Sequence, residues 1–255
     1  MAWWGKVIGG ALGYMLGGPL GAMLGVALGG NFDRGLGLSD QFGSGEQERV
    51  QAAFFSATFS IMGHVAKADG QVTPDELASA QHIMRQMQLT EEQLHAAKKL
   101  FNEGKKSDFP LDAILTQFKQ ECHRRRNLIQ MFVEIQIAMA MADGKLHPKE
   151  KSLIYHIGQM LGFSHAHIDQ LLRFTAGASH TQQDKSHSLN DAYAILGVKS
   201  SDSDADIKKA YRRLMSQHHP DKLVAKGLPE EMVKIATEKT KEIHKAYDLI
   251  KSNRK

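Results

Sequence analysis

The chain has 255 residues, 42% hydrophobic and 24% charged, the balance of a soluble globular protein with room for one or two domains and an appendage. A single cysteine, Cys122, excludes an internal disulfide and a structural zinc site of the usual kind; it suits a reducing compartment and a buried, inert thiol. The net charge of +4 sits in the tail from His187 to Lys255, where Lys and Arg outnumber Asp and Glu, while the two signs balance from Met1 to Ser186. A basic tail fits nucleic acid, an anionic membrane surface or an acidic protein partner, and charge alone does not choose among them.

Residues 1–6 precede an uncharged run that extends from Val7 to Phe32, between Lys6 and Asp33. About 20 apolar residues cross the hydrocarbon core, so residues 7–30 are predicted to form a transmembrane helix, with Trp3 and Trp4 at headgroup level. Glycine recurs every fourth residue, at Gly9, Gly13, Gly17, Gly21, Gly25 and Gly29, with Leu12, Leu16, Leu20, Leu24 and Leu28 in step. In water each interior glycine costs roughly 1 kcal/mol relative to alanine and Pro19 about 3 kcal/mol. In hydrocarbon an unpaired backbone group costs more, and the helix forms regardless. The repeat lines the glycines along one shallow groove, a small-xxx-small surface, so the span is expected to form a homodimer in membrane lipid. A secretory signal has a shorter apolar core, a hairpin broken at Gly18-Pro19 leaves halves too short to span, and a flexible linker does not need the period. Lys6 and Arg34 flank the span symmetrically and leave its orientation open. Residues 31–45 form a polar, glycine-rich linker.

From Glu46 to Phe174 apolar residues recur at three and four, as in Val50, Phe54, Ala57, Ile61 and Val65, and no alternating strand run occurs. Residues 46–174 therefore read as an all-helical domain. Within it, Ala66 to Glu76 (AKADGQVTPDE) returns further along as Ala140 to Glu150 (AMADGKLHPKE). The shared frame is a helix stop and restart. Gly70 and Gly144 suit a left-handed helix end, and Thr73-Pro74-Asp75-Glu76 reads as cap, first helical proline and capping-box glutamate, with His147 the weaker cap in the second copy. A calcium loop with Asp69 or Asp143 at its fifth position would need oxygen ligands where Val65, Lys67, Met139 and Met141 stand, so a helix-turn-helix scaffold fits better. The frame resembles the TerB-like domains named after tellurite-resistance proteins, two pseudo-symmetric helical halves each carrying this acidic turn. That resemblance implies a fold and little chemistry.

The thirteen histidines include the close pairs His165/His167 and His218/His219, but no HExxH or Cys/His grid, so no metal and no cofactor are expected. Without a GxSxG elbow, a Walker loop or a dinucleotide fingerprint, the chain is not expected to be an enzyme.

Residues 175–188 (TAGASHTQQDKSHS) form a second linker. In residues 189–255, Ile207, Ala210, Tyr211 and Leu214 make one apolar helical stripe and leave Lys208, Lys209, Arg212 and Arg213 solvated. Asp204 or Asp206 can cap that helix, and Pro220 ends it just after His219. Ile235, Ile243, Ala246, Tyr247 and Ile250 stripe a second helix, giving two antiparallel helices with an exposed loop between them. Asp191, Tyr193, Leu196, Gly197 and Val198, the run from Ile207 to Leu214, His219-Pro220-Asp221-Lys222, and the stretch from Glu242 to Ile250 together resemble the J-domain of DnaJ-type co-chaperones. The resemblance implies that the basic helix and the HPD turn dock on a DnaK-type heat-shock chaperone and stimulate its ATP hydrolysis. His219, Pro220 and Asp221 would be essential, with Lys208, Lys209, Arg212, Arg213 and Lys222 offering positive charge to an acidic surface. The J-domain here is C-terminal, without the glycine/phenylalanine-rich stretch or cysteine-rich region of the best-known DnaJ pattern, so general client delivery is not implied. Its extended segment, Leu223 to Met232, is one that a membrane subgroup carries.

An all-α chain with a glycine-rich span, a TerB-like domain and a C-terminal J-domain resembles the membrane-anchored DnaJ-like co-chaperones of bacterial inner membranes. This implies a single-pass protein with a periplasmic N-terminus and cytoplasmic domains, where the partner is supplied with ATP. The alternative is a metal- or stress-responsive interaction module acting through the TerB-like turns. Nucleic acid is disfavoured, because the tail interleaves its bases with acids and has no aromatic stacking platform.

Overall fold

The computed structural model describes residues 17–28, 46–68, 70, 72, 74–87, 89–141, 146–183 and 189–254, and no strand occurs among them. An apolar helix, α1 (Gly18–Leu28), comes first. The central domain follows as α2 (Glu46–Ala66), α3 (Pro74–Gln86), α4 (Glu91–Gly104), α5 (Leu111–Glu121), α6 (Arg126–Ala140), α7 (Pro148–Met160) and α8 (His165–Gln183). The C-terminal part has α9 (Leu189–Leu196), α10 (Asp204–His218), the short α11 (Pro220–Val224), a 3-10 turn (Glu230–Met232) and α12 (Val233–Asn253).

The stripe predicted on α2 is buried, and so is the rest of that helix from Val50 to Gly63. Small residues between its aromatics let α1 and α3 to α7 pack around it. The closest approach is to α4: a Cβ on Gly63 would stand 1.9 Å from the Phe101 carbonyl oxygen, and one on Gly104 1.7 Å from that of Ser60. Phe54, Phe118 and Phe132 join α2, α5 and α6 with ring centroids 4.5 to 6.3 Å apart. Within buried α2, Ser60 Oγ donates to Ser56 O at 2.7 Å, and the Thr58 carbonyl accepts from Gln136 Nε2 of α6 at 3.2 Å. Cys122 is fully buried, and burial pushes its thiol well above the ordinary range.

The repeated frame marks two matching helix breaks. α2 stops at Ala66, Gly70 takes φ +108°, and α3 starts at Pro74; α6 stops at Ala140 and α7 starts at Pro148. His147 N–H donates to the Glu150 carboxylate at 2.9 Å, the glutamate half of a capping box. Asp69, Thr73, Asp143 and Gly144 lie outside the described residues, as do Gly9, Gly13 and Gly29 of the glycine ladder.

Gly17 and Gly18 are left-handed (φ +55° and +57°), so α1 begins at Gly18 and carries only Gly21 and Gly25 of the ladder. Leu20 and Leu24 are buried against α4 and α5, and Gln117 secures the first turn: its Nε2 donates to Gly17 O and its Oε1 accepts from Leu20 N–H, both at 2.9 Å. Among the described residues no helix is long and apolar enough to cross a membrane.

α8 runs through Phe174 to Gln183, so residues 175–183 are helical rather than a linker; nothing in TAGAS blocks a helix that is already propagating. Phe174 joins the second core with Ala192, Tyr193, Ile195, Leu196, Ile207, Leu214, Ile243, Ala246 and Ile250. α10 and α12 are antiparallel: Tyr211 stacks on Tyr247 at 4.2 Å, and Arg254 reaches back to Asp204. Ser203 caps α10, accepting from Asp206 N–H at 3.2 Å, because its hydroxyl stands one residue before the helix where the expected aspartates are already inside it.

The segment from Leu223 to Met232 is not an exposed loop. Leu223, Leu228 and Met232 are 0% exposed and lie in the central core, together with Ile235 and Ala236 from the start of α12. Ile235 therefore packs toward the central domain rather than toward α10. Burying three such side chains is worth on the order of 5 kcal/mol before ordering entropy, which explains why this apolar insertion leaves the solvent.

Candidate functional site

Proline at 220 has no N–H to extend α10 and restricts the residue before it, so the helix stops at His218 and His219 turns out to φ −59°, ψ 122°. Pro220 then starts α11, whose first turn closes with Leu223 N–H donating to His219 O at 3.1 Å. The turn points into solvent: the side chains of His219 and Asp221 are 47% and 90% exposed, with His219 Nδ1 3.9 Å from Asp221 Oδ2. Lys222 is exposed and donates to Ser216 Oγ at 2.7 Å, which ties α11 back to α10.

Lys208, Lys209, Arg212 and Arg213 are all exposed, as their place off the apolar stripe predicts. At about 100° per residue, Lys208, Arg212 and Lys209 share one arc of α10, and Arg213 lies roughly 40° further round. Arg213 there lines a cavity of about 90 Å³ between the domains, together with Gln130, His167 and Gln170. The structure thus brings the HPD turn, Lys222 and the basic helix into one continuous element pair, with Arg213 at its edge.

The turn rests on a buried cluster that sequence reading did not find. Glu134 of α6, 0% exposed, accepts from His218 Nε2 at 2.9 Å, from Lys239 Nζ at 3.0 Å and from Gln130 Nε2 at 2.9 Å. His218 Nδ1 lies 3.0 Å from Leu214 O, so both ring nitrogens sit against oxygen atoms. The Phe174 ring stacks on His218 at 5.8 Å and lies under Lys239 Nζ at 4.8 Å. Burial opposes ionisation of Glu134, yet the His218 and Lys239 charges and their hydrogen bonds hold its carboxyl well below the usual carboxylate range. One signal was available: Glu134 is the lone acid in α6, within an apolar run, and a buried carboxylate needs a cationic partner. Nothing local names that partner, which stands 84 residues away. No three His, Cys, Asp or Glu side chains converge as metal ligands among the described residues.

Three family models match in the order the sequence predicts: the co-chaperone DjlA transmembrane domain over residues 1–41, tellurite resistance protein TerB over residues 55–173, and the DnaJ domain over residues 191–255. The chain is 42% identical over 269 residues to the co-chaperone protein DjlA of Escherichia coli K12, covering 100% of this chain and 99% of that one. It is 43% identical over 277 residues to that of Vibrio cholerae and 42% over 271 to that of Yersinia pestis, each covering 98% of both chains. No solved structure matches. With the anchor, the TerB-like domain and the J-domain in one order over the full length of its relatives, the chain belongs to the DjlA family of DnaJ-type co-chaperones.

Proposed function

We propose that this chain docks on a DnaK-type chaperone through α10 and the His219-Pro220-Asp221 turn and stimulates its ATP hydrolysis at the inner membrane. The observation that carries the reading is the exposed HPD turn at the end of an exposed basic helix, in a domain that matches the DnaJ family. Lys208, Lys209, Arg212 and Lys222 steer an acidic partner surface, and the hydrolytic chemistry stays in the partner's own site. The N-terminal segment, which matches a transmembrane-domain family, anchors the chain, with the N-terminus outside and residues 46–255 in the cytoplasm.

Steady-state ATPase of DnaK, titrated with the full chain in lipid nanodiscs, tests the reading. Wild type should stimulate turnover, and His219→Gln should abolish the effect while leaving helicity and melting temperature unchanged. No stimulation by wild type, or equal stimulation by His219→Gln, rejects it.

A further inference from the structure

The HPD turn is gripped at both ends by the central domain. Before it, His218 gives its Nε2–H to Glu134 of α6 at 2.9 Å, and the same carboxylate takes Lys239 of α12 at 3.0 Å. After it, Leu223 is fully buried in the core that also holds α2 and α6. Gln47 Nε2 donates to Val224 O at 3.4 Å, and a Cβ on Gly227, at φ +96°, would stand 2.6 Å from Val50 Cγ1. Between these two grips only the stretch from His219 to Lys222 projects, and the chaperone-facing side chains stay open to solvent. The contacts come from α2, α6 and α8, elements a J-domain hung on a free tether would not touch.

We infer that Glu134 is a positioning residue for the chaperone-docking turn: the central domain is a platform that holds the turn in its docking geometry, through His218 in front of it and the Leu223–Met232 segment behind it. This rests on the co-chaperone reading above. A pinned turn has already given up its conformational freedom before the partner arrives. Unpinned, it is competent for only part of the time, and apparent affinity falls by that fraction while the response of a docked complex is unchanged.

Two variants loosen the grips separately. Glu134→Gln removes the charge that His218 and Lys239 face, and Gly227→Ala wedges the following segment away from Val50 without touching the polar cluster. The full chain in nanodiscs is titrated into DnaK, and hydrogen–deuterium exchange is followed over residues 216–228 and over α9 and Ile207 to Leu214. Both variants should raise the half-maximal concentration about tenfold and hold the plateau within about twofold. Exchange should quicken at 219–228 and stay at the wild-type rate in α9 and Ile207 to Leu214. Glu134→Asp, which keeps the charge, should recover much of both effects. The inference fails if a stimulating wild type is matched by both variants in half-maximal concentration, or if exchange at 219–228 is unchanged. It fails equally if exchange quickens throughout α9 and α10, the sign of plain unfolding. A wild-type chain that does not stimulate at all overturns the co-chaperone reading instead.

Discussion

A single carboxylate, Glu134, couples two domains, and its environment sets a pH signature. Its folded-state ionisation lies below the usual carboxylate range, so the stability it contributes is present above the unfolded value of about 4.3 and is lost as pH falls through the folded one. Replacing it with glutamine leaves His218 and Lys239 facing no charge, a loss of about 3 kcal/mol by comparison with other broken buried pairs. Urea midpoints of wild type and Glu134→Gln should therefore differ clearly at about pH 5 and draw together progressively below about pH 4, because the unfolded chain takes up the proton first and the gap closes fully only at the lower folded-state value. A gap that persists undiminished to the lowest pH would show that the charge of Glu134 is not the source of its effect. Residues of this kind are the least legible in a sequence. Lys208, Lys209, Arg212 and the HPD triplet announce themselves by a recognisable array, whereas the tie between Glu134 and His218 is a tertiary accident of which helix meets which.

Elements were more legible, for physical reasons that differ along the chain. Helix α10 follows from a stripe at 0, 3, 4 and 7 and a proline stop, and both repeated breaks follow from their glycine–proline punctuation. Helix α2 was harder, since its stripe was right but its burial on every side depends on neighbours that periodicity does not name. The α2–α4 crossing is the extreme case. Gly63 and Gly104 sit with backbone against backbone, where an added methyl would overlap a carbonyl oxygen outright. Gly104→Ala should lower stability by at least about 2 kcal/mol, more than the roughly 1 kcal/mol that helix propensity would return by favouring alanine. Chemical denaturation of the full chain in detergent measures it, and a neutral or stabilising result would mean that the helices separate at little cost. Apolar α1 was expected inside a longer span; its described residues take protein contacts from α4 and α5, where a bilayer would supply lipid.

At the scale of the whole molecule, the order of three parts was legible because each carries its own local signature, and the union of two of them was not. The linker expected at 175–188 is helical to Gln183, and the insertion expected to be exposed is folded into the neighbouring core. Both departures have one cause: a polar composition or an unusual length identifies a segment without saying what it lies against. The buried insertion has a practical consequence for proteolysis. A protease needs an exposed, locally opened stretch of chain, and the segment around Lys226, flanked by buried Leu223 and Leu228, cannot offer that while it is seated. Trypsin should therefore spare Lys226 in the intact chain and cut it early in Gly227→Ala, as mass spectrometry of a timed digest would read. Rapid cutting at Lys226 in the wild type would mean that the segment spends much of its time unseated. In a cell the same bond would act as a fuse, surviving only while the two domains hold each other.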